Sequence, residues 1–180
     1  MIEKDRILTK KAFYHFVSNE YQPSPYESNE LNDPRFHEGT YFSHVCKTRC
    51  YLVYRELARR ISQRSKIIDL GFFPGTLIRQ LKYFLNDKIA CYGIGLNVDK
   101  AFENFMRPYL EECVNVELDP FYLRADETIS IPFKDDMFDA VIATELLEHI
   151  ISPLEMIAEG SRILRKGGIF ILSTPNVSHV

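Results

Sequence analysis

Five short apolar runs, at 67–70, 90–96, 121–124, 138–143 and 168–173, alternate along the chain with longer segments of mixed polarity. The segments at 76–85, 99–112, 145–150 and 153–164 carry their apolar residues at helical spacing. Runs this short are strands, and apolar side chains on both faces mark strands that are covered from both sides. Parallel strands must be joined by a crossover, which is normally a helix and normally right-handed. The pattern therefore predicts an α/β fold over residues 61–180: a doubly wound, mainly parallel sheet. Residues 1–60 lack the alternation and read as an N-terminal helical and loop cap.

Within the cap, 3–18 reads as a helix carrying Ile7, Leu8, Phe13, Phe16 and Val17. Residues 21–40 hold Pro23, Pro25, Pro34 and Gly39 and read as a loop, rich in aromatics (Tyr21, Tyr26, Phe36). A second helix spans 42–63, with Val45, Leu52, Val53, Leu57 and Ile61 on its apolar stripe. From Tyr41 to Lys66 there are seven Lys or Arg and one acid, Glu56, which reads as a solvated helix face. The net charge of −3 over 180 residues argues against bulk attraction to nucleic acid or to an anionic membrane. No apolar run approaches the ~20 residues of a membrane-spanning helix, and the charged start, Met1 to Arg6, is unlike a signal peptide. The cysteines (Cys46, Cys50, Cys91, Cys113) form no disulfide framework and no zinc spacing, so a reducing cytoplasm is the expected location.

The first run ends in Asp69-Leu70-Gly71 and passes through Phe72-Phe73-Pro74-Gly75 into a helical segment. That corner places a carboxylate, backbone N–H groups and a helix N-terminus at the carboxyl edge of the sheet, where open α/β sheets bind ligands. The stretch resembles the first motif of the class I S-adenosylmethionine (SAM) dependent methyltransferases, an apolar strand followed by D-x-G-x-G-x-G. Asp69, Gly71 and Gly75 match, and Phe73 stands where the middle glycine usually does. Further matches follow in the family's order. Asp126 comes after the third run, and Ile131-Pro132-Phe133 with Asp135 to Asp139 leads into the fourth. Glu145-Leu146-Leu147-Glu148-His149 follows the fourth run. Arg162 to Gly168 resembles an R-x-L-K-P-G-G turn with Lys166 in place of proline, and Ser173 to Asn176 resembles the close of the fifth strand.

The resemblance implies strand order 3-2-1-4-5 and SAM as cofactor. It implies a cofactor site of Asp69, Leu70, Gly71, Phe72, Gly75, Asn97, Asp126, Glu127 and Thr144. In the family an acid closes the second strand and binds both ribose hydroxyls. Gly95 stands there in this chain, with Asn97 or Asp99 the next polar groups along. A ring at Phe73 is expected to turn away from the cofactor and wall against the cap. The family's sheet has seven strands, so the last two are expected to be missing. Two expectations follow for the edge of the fifth strand: the chain is a piece of a longer methyltransferase, or a second copy of the chain covers that edge.

Methyl transfer from a sulfonium is an in-line displacement with a neutral leaving group. The protein must orient the acceptor, exclude water and often remove a proton. Glu145, Glu148 and His149 fall at i, i+3 and i+4, and on a helix they would share a face. Three roles stay open for them. They hold Mg²⁺ or Mn²⁺, which would acidify an acceptor hydroxyl. Alternatively, His149 acts as a base oriented by Glu145, or the group lines the substrate. A similar Glu-x-x-Glu-His is used for metal in ubiquinone-pathway O-methyltransferases and in small-RNA 2′-O-methyltransferases. The expected function is a SAM-dependent methyltransferase, O-directed, acting on a small molecule, lipid precursor or sugar. The alternatives are a catalytically silent binding or scaffold protein and a metal-dependent RNA 2′-O-methyltransferase, the latter opposed by the net charge.

Overall fold

Ile67 and Ile68 are neighbours, both fully buried, and they serve opposite faces of one strand. The computed structural model describes residues 7–27, 34, 41–96, 98–119, 123 and 128–175. Its strands are β1 (Ser65–Leu70), β2 (Ile89–Gly95), β3 (Glu112–Asn115), β4 (Phe138–Thr144) and β5 (Leu164–Ser173). All pair in parallel, in the order β3-β2-β1-β4-β5, as expected. The helices are α1 (Lys10–Asn19), α2 (Tyr41–Arg60), α3 (Thr76–Leu85), α4 (Lys100–Met106) and α5 (Pro153–Ile163).

The two faces of the sheet carry separate cores. Ile67, Cys91, Ala140 and Ile142 pack with Val53, Tyr54 and Leu57 of α2, Ile78 and Leu81 of α3, and Phe102 and Met106 of α4. Ile68, Leu70, Ile94 and Val141 pack with Met156 and Ile163 of α5 and with Ile129, Ile131 and Phe133. Alternate residues of each strand thus feed alternate cores, the doubly wound arrangement. α2 is part of the first core: Leu57 is fully buried. α1 adds Phe13, whose ring lies 5.5 Å from Tyr54 and 5.0 Å from Phe84. Close approach of α5 to β5 depends on Gly160, where a Cβ would stand 2.6 Å from the Phe170 ring.

Three expectations about elements are corrected. The third strand was expected at 121–124, but the strand that pairs with β2 is Glu112–Asn115, with Gly95 opposite Asn115. Of the expected run, only Leu123 lies within the described residues. β3 is short, and its outer residues are exposed, so it has little apolar signal of its own; pairing to β2 makes it a strand. α4 ends at Met106 rather than near 112, because Pro108 supplies no N–H to continue the ladder. No α-helix forms over 145–150: Glu145 has φ +53° and is followed by a 3₁₀ turn, Leu147–His149.

β5 is the outer strand among the described residues, and its Ile169, Phe170 and Ile171 are half-buried. No described helix is long and apolar enough to cross a membrane.

Candidate active site

The carboxyl ends of β1 and β4 lie side by side, with Asp69 paired to Ile142. After β1 the chain turns on Gly71 (φ +78°) and Gly75 (φ +88°), a conformation that favours glycine. The N–H groups of Gly71 and Phe72 both donate to the Ile94 carbonyl, at 2.8 and 3.1 Å, and Gly75 N–H donates to Phe72 O. The first two bonds tie the turn to β2 and the third closes the turn on itself, so none of the three donors is open to a ligand.

Phe72 turns inward. It is 3% exposed, and its ring covers Gly93 so closely that a Cβ there would stand 2.8 Å away. Phe73 turns out and is 55% exposed. Its ring packs beside Phe102 of α4 at 5.0 Å, rather than directly against the cap as expected. The cap reaches the same ring: Tyr26 lies 4.9 Å from Phe102. An aromatic string thus runs from the cap through Phe102 to the turn.

Asp69 is the electrostatic centre of this edge. It is 3% exposed, and no hydrogen bond reaches its carboxylate among the described residues. Burial raises its pKa from 3.8 to about 7, while the charge of Arg49 pulls the other way. Arg49 projects from α2, and its guanidinium stands 3.5 Å from Glu145 Oε2. Glu145 is fixed from two further directions. Its N–H donates to Ser173 O at 3.0 Å, and Ser173 Oγ–H donates to its Oε1 at 2.7 Å. Two carboxylates and one guanidinium, from β1, the residue after β4, and α2, therefore converge on one end of the sheet, with Thr144 beside them opposite Ser173.

The positive φ of Glu145 separates it from Glu148 and His149, so the three do not share a helical face. His149 lies on the 3₁₀ turn with its side chain 74% exposed and Nε2 4.0 Å from Glu148 Oε1. The expected metal set of Glu145, Glu148 and His149 is not assembled. Among the described residues no group of three His, Cys, Asp or Glu is arranged to hold a metal ion. Asn97, Asp126 and Glu127 lie outside the described residues. Arg49 was missed in the sequence because nothing there separates it from the other basic residues of its segment.

A family model described as a methyltransferase domain matches residues 68–172. Over 129 residues the chain is 27% identical to a protein of Mycolicibacterium smegmatis described as a SAM-dependent methyltransferase, covering 69% of this chain and 43% of that one. Over 174 residues it is 26% identical to a sterol 24-C-methyltransferase of Schizosaccharomyces pombe, covering 93% of this chain and 44% of that one. The chain thus spans less than half the length of these curated relatives. Among solved structures, a protein of Methanococcus maripaludis described as a SAM-dependent methyltransferase aligns with TM-score 0.52 at 14% identity, over 85% of this chain and 65% of that one. One of Galdieria sulphuraria, described as a sarcosine dimethylglycine methyltransferase, aligns with TM-score 0.52 at 16% identity, over 87% and 56%. At such identity the likeness is one of fold.

Proposed function

The chain belongs to the methyltransferase domain family, and from that premise we propose that it binds SAM at the carboxyl edge of β1 and β4 and methylates a hydroxyl of a small molecule, lipid precursor or sugar. The observation that carries this reading is Asp69, a buried carboxylate without a hydrogen-bond donor at the mouth of the glycine turn. Burying a carboxylate with no hydrogen-bond donor is costly, the charge of Arg49 offsets only part of that cost, and a cationic ligand group reduces it further. The amino acid end of SAM carries an ammonium group of the right sign. When bound, SAM supplies an electrophilic methyl group on a sulfonium. Asp69 holds the ligand's cationic end, and Leu70 to Gly75 fix the turn around it.

Glu145 is the carboxylate best held for work on the acceptor. Ser173 and Arg49 fix its orientation, and it accepts a proton from, or orients, a hydroxyl brought to the end of β4. His149, exposed on its turn, plays no part in this reading. The same edge without turnover would be the binding or scaffold alternative, favoured by Gly95 in place of the usual acid.

The test is calorimetric titration of the chain with SAM and S-adenosylhomocysteine, followed by transfer of labelled methyl to a panel of hydroxyl compounds. Binding weakened about tenfold or more in Asp69→Asn, with turnover that disappears in Glu145→Gln, is expected. Absence of binding to the natural chain would refute the proposal, and binding without transfer would leave the scaffold reading.

A further inference from the structure

In dinucleotide folds an acid about 20 residues past the glycine turn, at the end of the second strand, bonds the ribose hydroxyls. Gly95 holds that place here, and the structure closes it to any side chain. A Cβ at Gly95 would stand 2.7 Å from Val98 Cγ2 and 3.1 Å from the Phe72 ring. The backbone of one neighbour and the ring of the other are held in place. Val98 is pinned at both backbone atoms by Asn115 at the end of β3: its N–H donates to Oδ1 at 2.7 Å, and its carbonyl accepts from Nδ2 at 3.0 Å. Phe72 is held between Gly93 and the Phe102 ring, 5.5 Å away. The next acid, Asp99, is committed as the N-cap of α4, where Oδ1 accepts from Phe102 N–H at 2.7 Å. Among the described residues, what this end of β2 and the neighbouring turn present is apolar: Leu96 is 56% exposed and Phe73 is 55% exposed.

We infer that this site takes the nucleoside of its cofactor without a carboxylate clamp on the ribose diol. Apolar contact with Leu96 and Phe73 holds the nucleoside, and charge recognition is concentrated at Asp69. This rests on the proposed SAM site and specifies how that site divides its recognition. The interlock of Phe72, Val98 and Asn115 is the determinant: a ring packed on two glycines takes the volume a ribose-binding acid would need.

The experiment titrates the natural chain with S-adenosylhomocysteine and with its 2′-deoxyadenosyl counterpart. A carboxylate bonded to the hydroxyl would make its loss cost on the order of tenfold to a hundredfold in affinity. Without the clamp the two dissociation constants stay within about threefold. A loss of tenfold or more on removing the hydroxyl overturns the inference while leaving the SAM site intact. If S-adenosylhomocysteine itself does not bind, the proposed function fails and the inference fails with it.

Discussion

Asp69 makes opposite demands on stability and binding, and the two can be measured apart. Asp69→Asn removes a desolvated carboxyl that no hydrogen bond holds and whose burial outweighs the opposing charge of Arg49, so the ligand-free variant should be no less stable than the parent. Its affinity for S-adenosylhomocysteine should fall by about 1.5–3 kcal/mol, the worth of a hydrogen bond to a charged group. Equal affinity in a folded variant would remove Asp69 from the site. The pH dependence carries the same sign. Folding raises the Asp69 pKa from 3.8 to about 7, chiefly by burial. The native chain therefore keeps a proton that the unfolded chain has released. Stability without ligand falls as pH rises through that window and levels off above it. A cationic ligand favours the ionised form, so its affinity should rise through pH 7; a flat profile by calorimetry would separate Asp69 from the ligand's charge. At Gly95 the expectation is steric. Gly95→Asp should cost about 1–3 kcal/mol through overpacking against Val98 and Phe72, read by denaturant titration.

Between elements, the strongest polar tie joins the cap to α3. Glu27, 4% exposed, pairs with Arg79 and accepts from Tyr21 Oη–H at 3.0 Å and from Ser24 N–H at 2.9 Å. Arg79 also donates to the Gln22 carbonyl at 2.8 Å, and its guanidinium lies over the rings of Tyr21, Phe105 and Tyr109. Burial first, and then the charge of Glu27, push the Tyr21 phenol far above its ordinary range, so it stays a donor. This clasp fastens residues 21–27 to the helix that begins at the glycine turn. Removing one partner of a buried pair strands the other, so Glu27→Ala should destabilise the chain by about 3–5 kcal/mol. A loss below 1 kcal/mol by denaturant titration would mean that water, not Glu27, satisfies Arg79. On the opposite face Arg162 performs a similar task. It donates to the Ile131 and Phe133 carbonyls, at 2.8 and 2.9 Å, and pairs with Glu159 and Asp135, which fixes the approach to β4.

For the whole molecule, ligand binding should appear as added stability. At a hundredfold excess over its dissociation constant, S-adenosylhomocysteine contributes about 2.7 kcal/mol. That corresponds to a rise in melting temperature of roughly 5–10 °C for a domain of this size, and an unchanged melting curve would argue against a site of this kind. β5 supplies a second test, since an outer strand invites pairing. Association through it predicts a mass by light scattering that rises with concentration, and a constant monomer mass would refute it. The order of the sheet came from the resemblance to the family, but four of the five strands were legible before any coordinates because both-face apolar runs and glycine punctuation are local properties. So were Asp69, Gly71 and Gly75, since a turn needing positive φ after a strand leaves its mark in residue type. β3 was misplaced because a short outer strand is defined by its partner rather than by its own composition. The helix expected from Glu145 fails for a similar reason: bonds from Glu145 to Ser173 across β4 and β5 favour a left-handed residue over local helical propensity. Arg49 and the closure of Gly95 depend on side chains far apart in sequence, brought within a few ångströms by α2 and by the Asn115–Val98 clamp. The sequence alone thus determined the four apolar strands, the turn and the buried acid, because each follows from neighbouring residues. The tertiary structure alone decided which charges meet that acid and what fills the end of β2, because both depend on packing between elements distant along the chain.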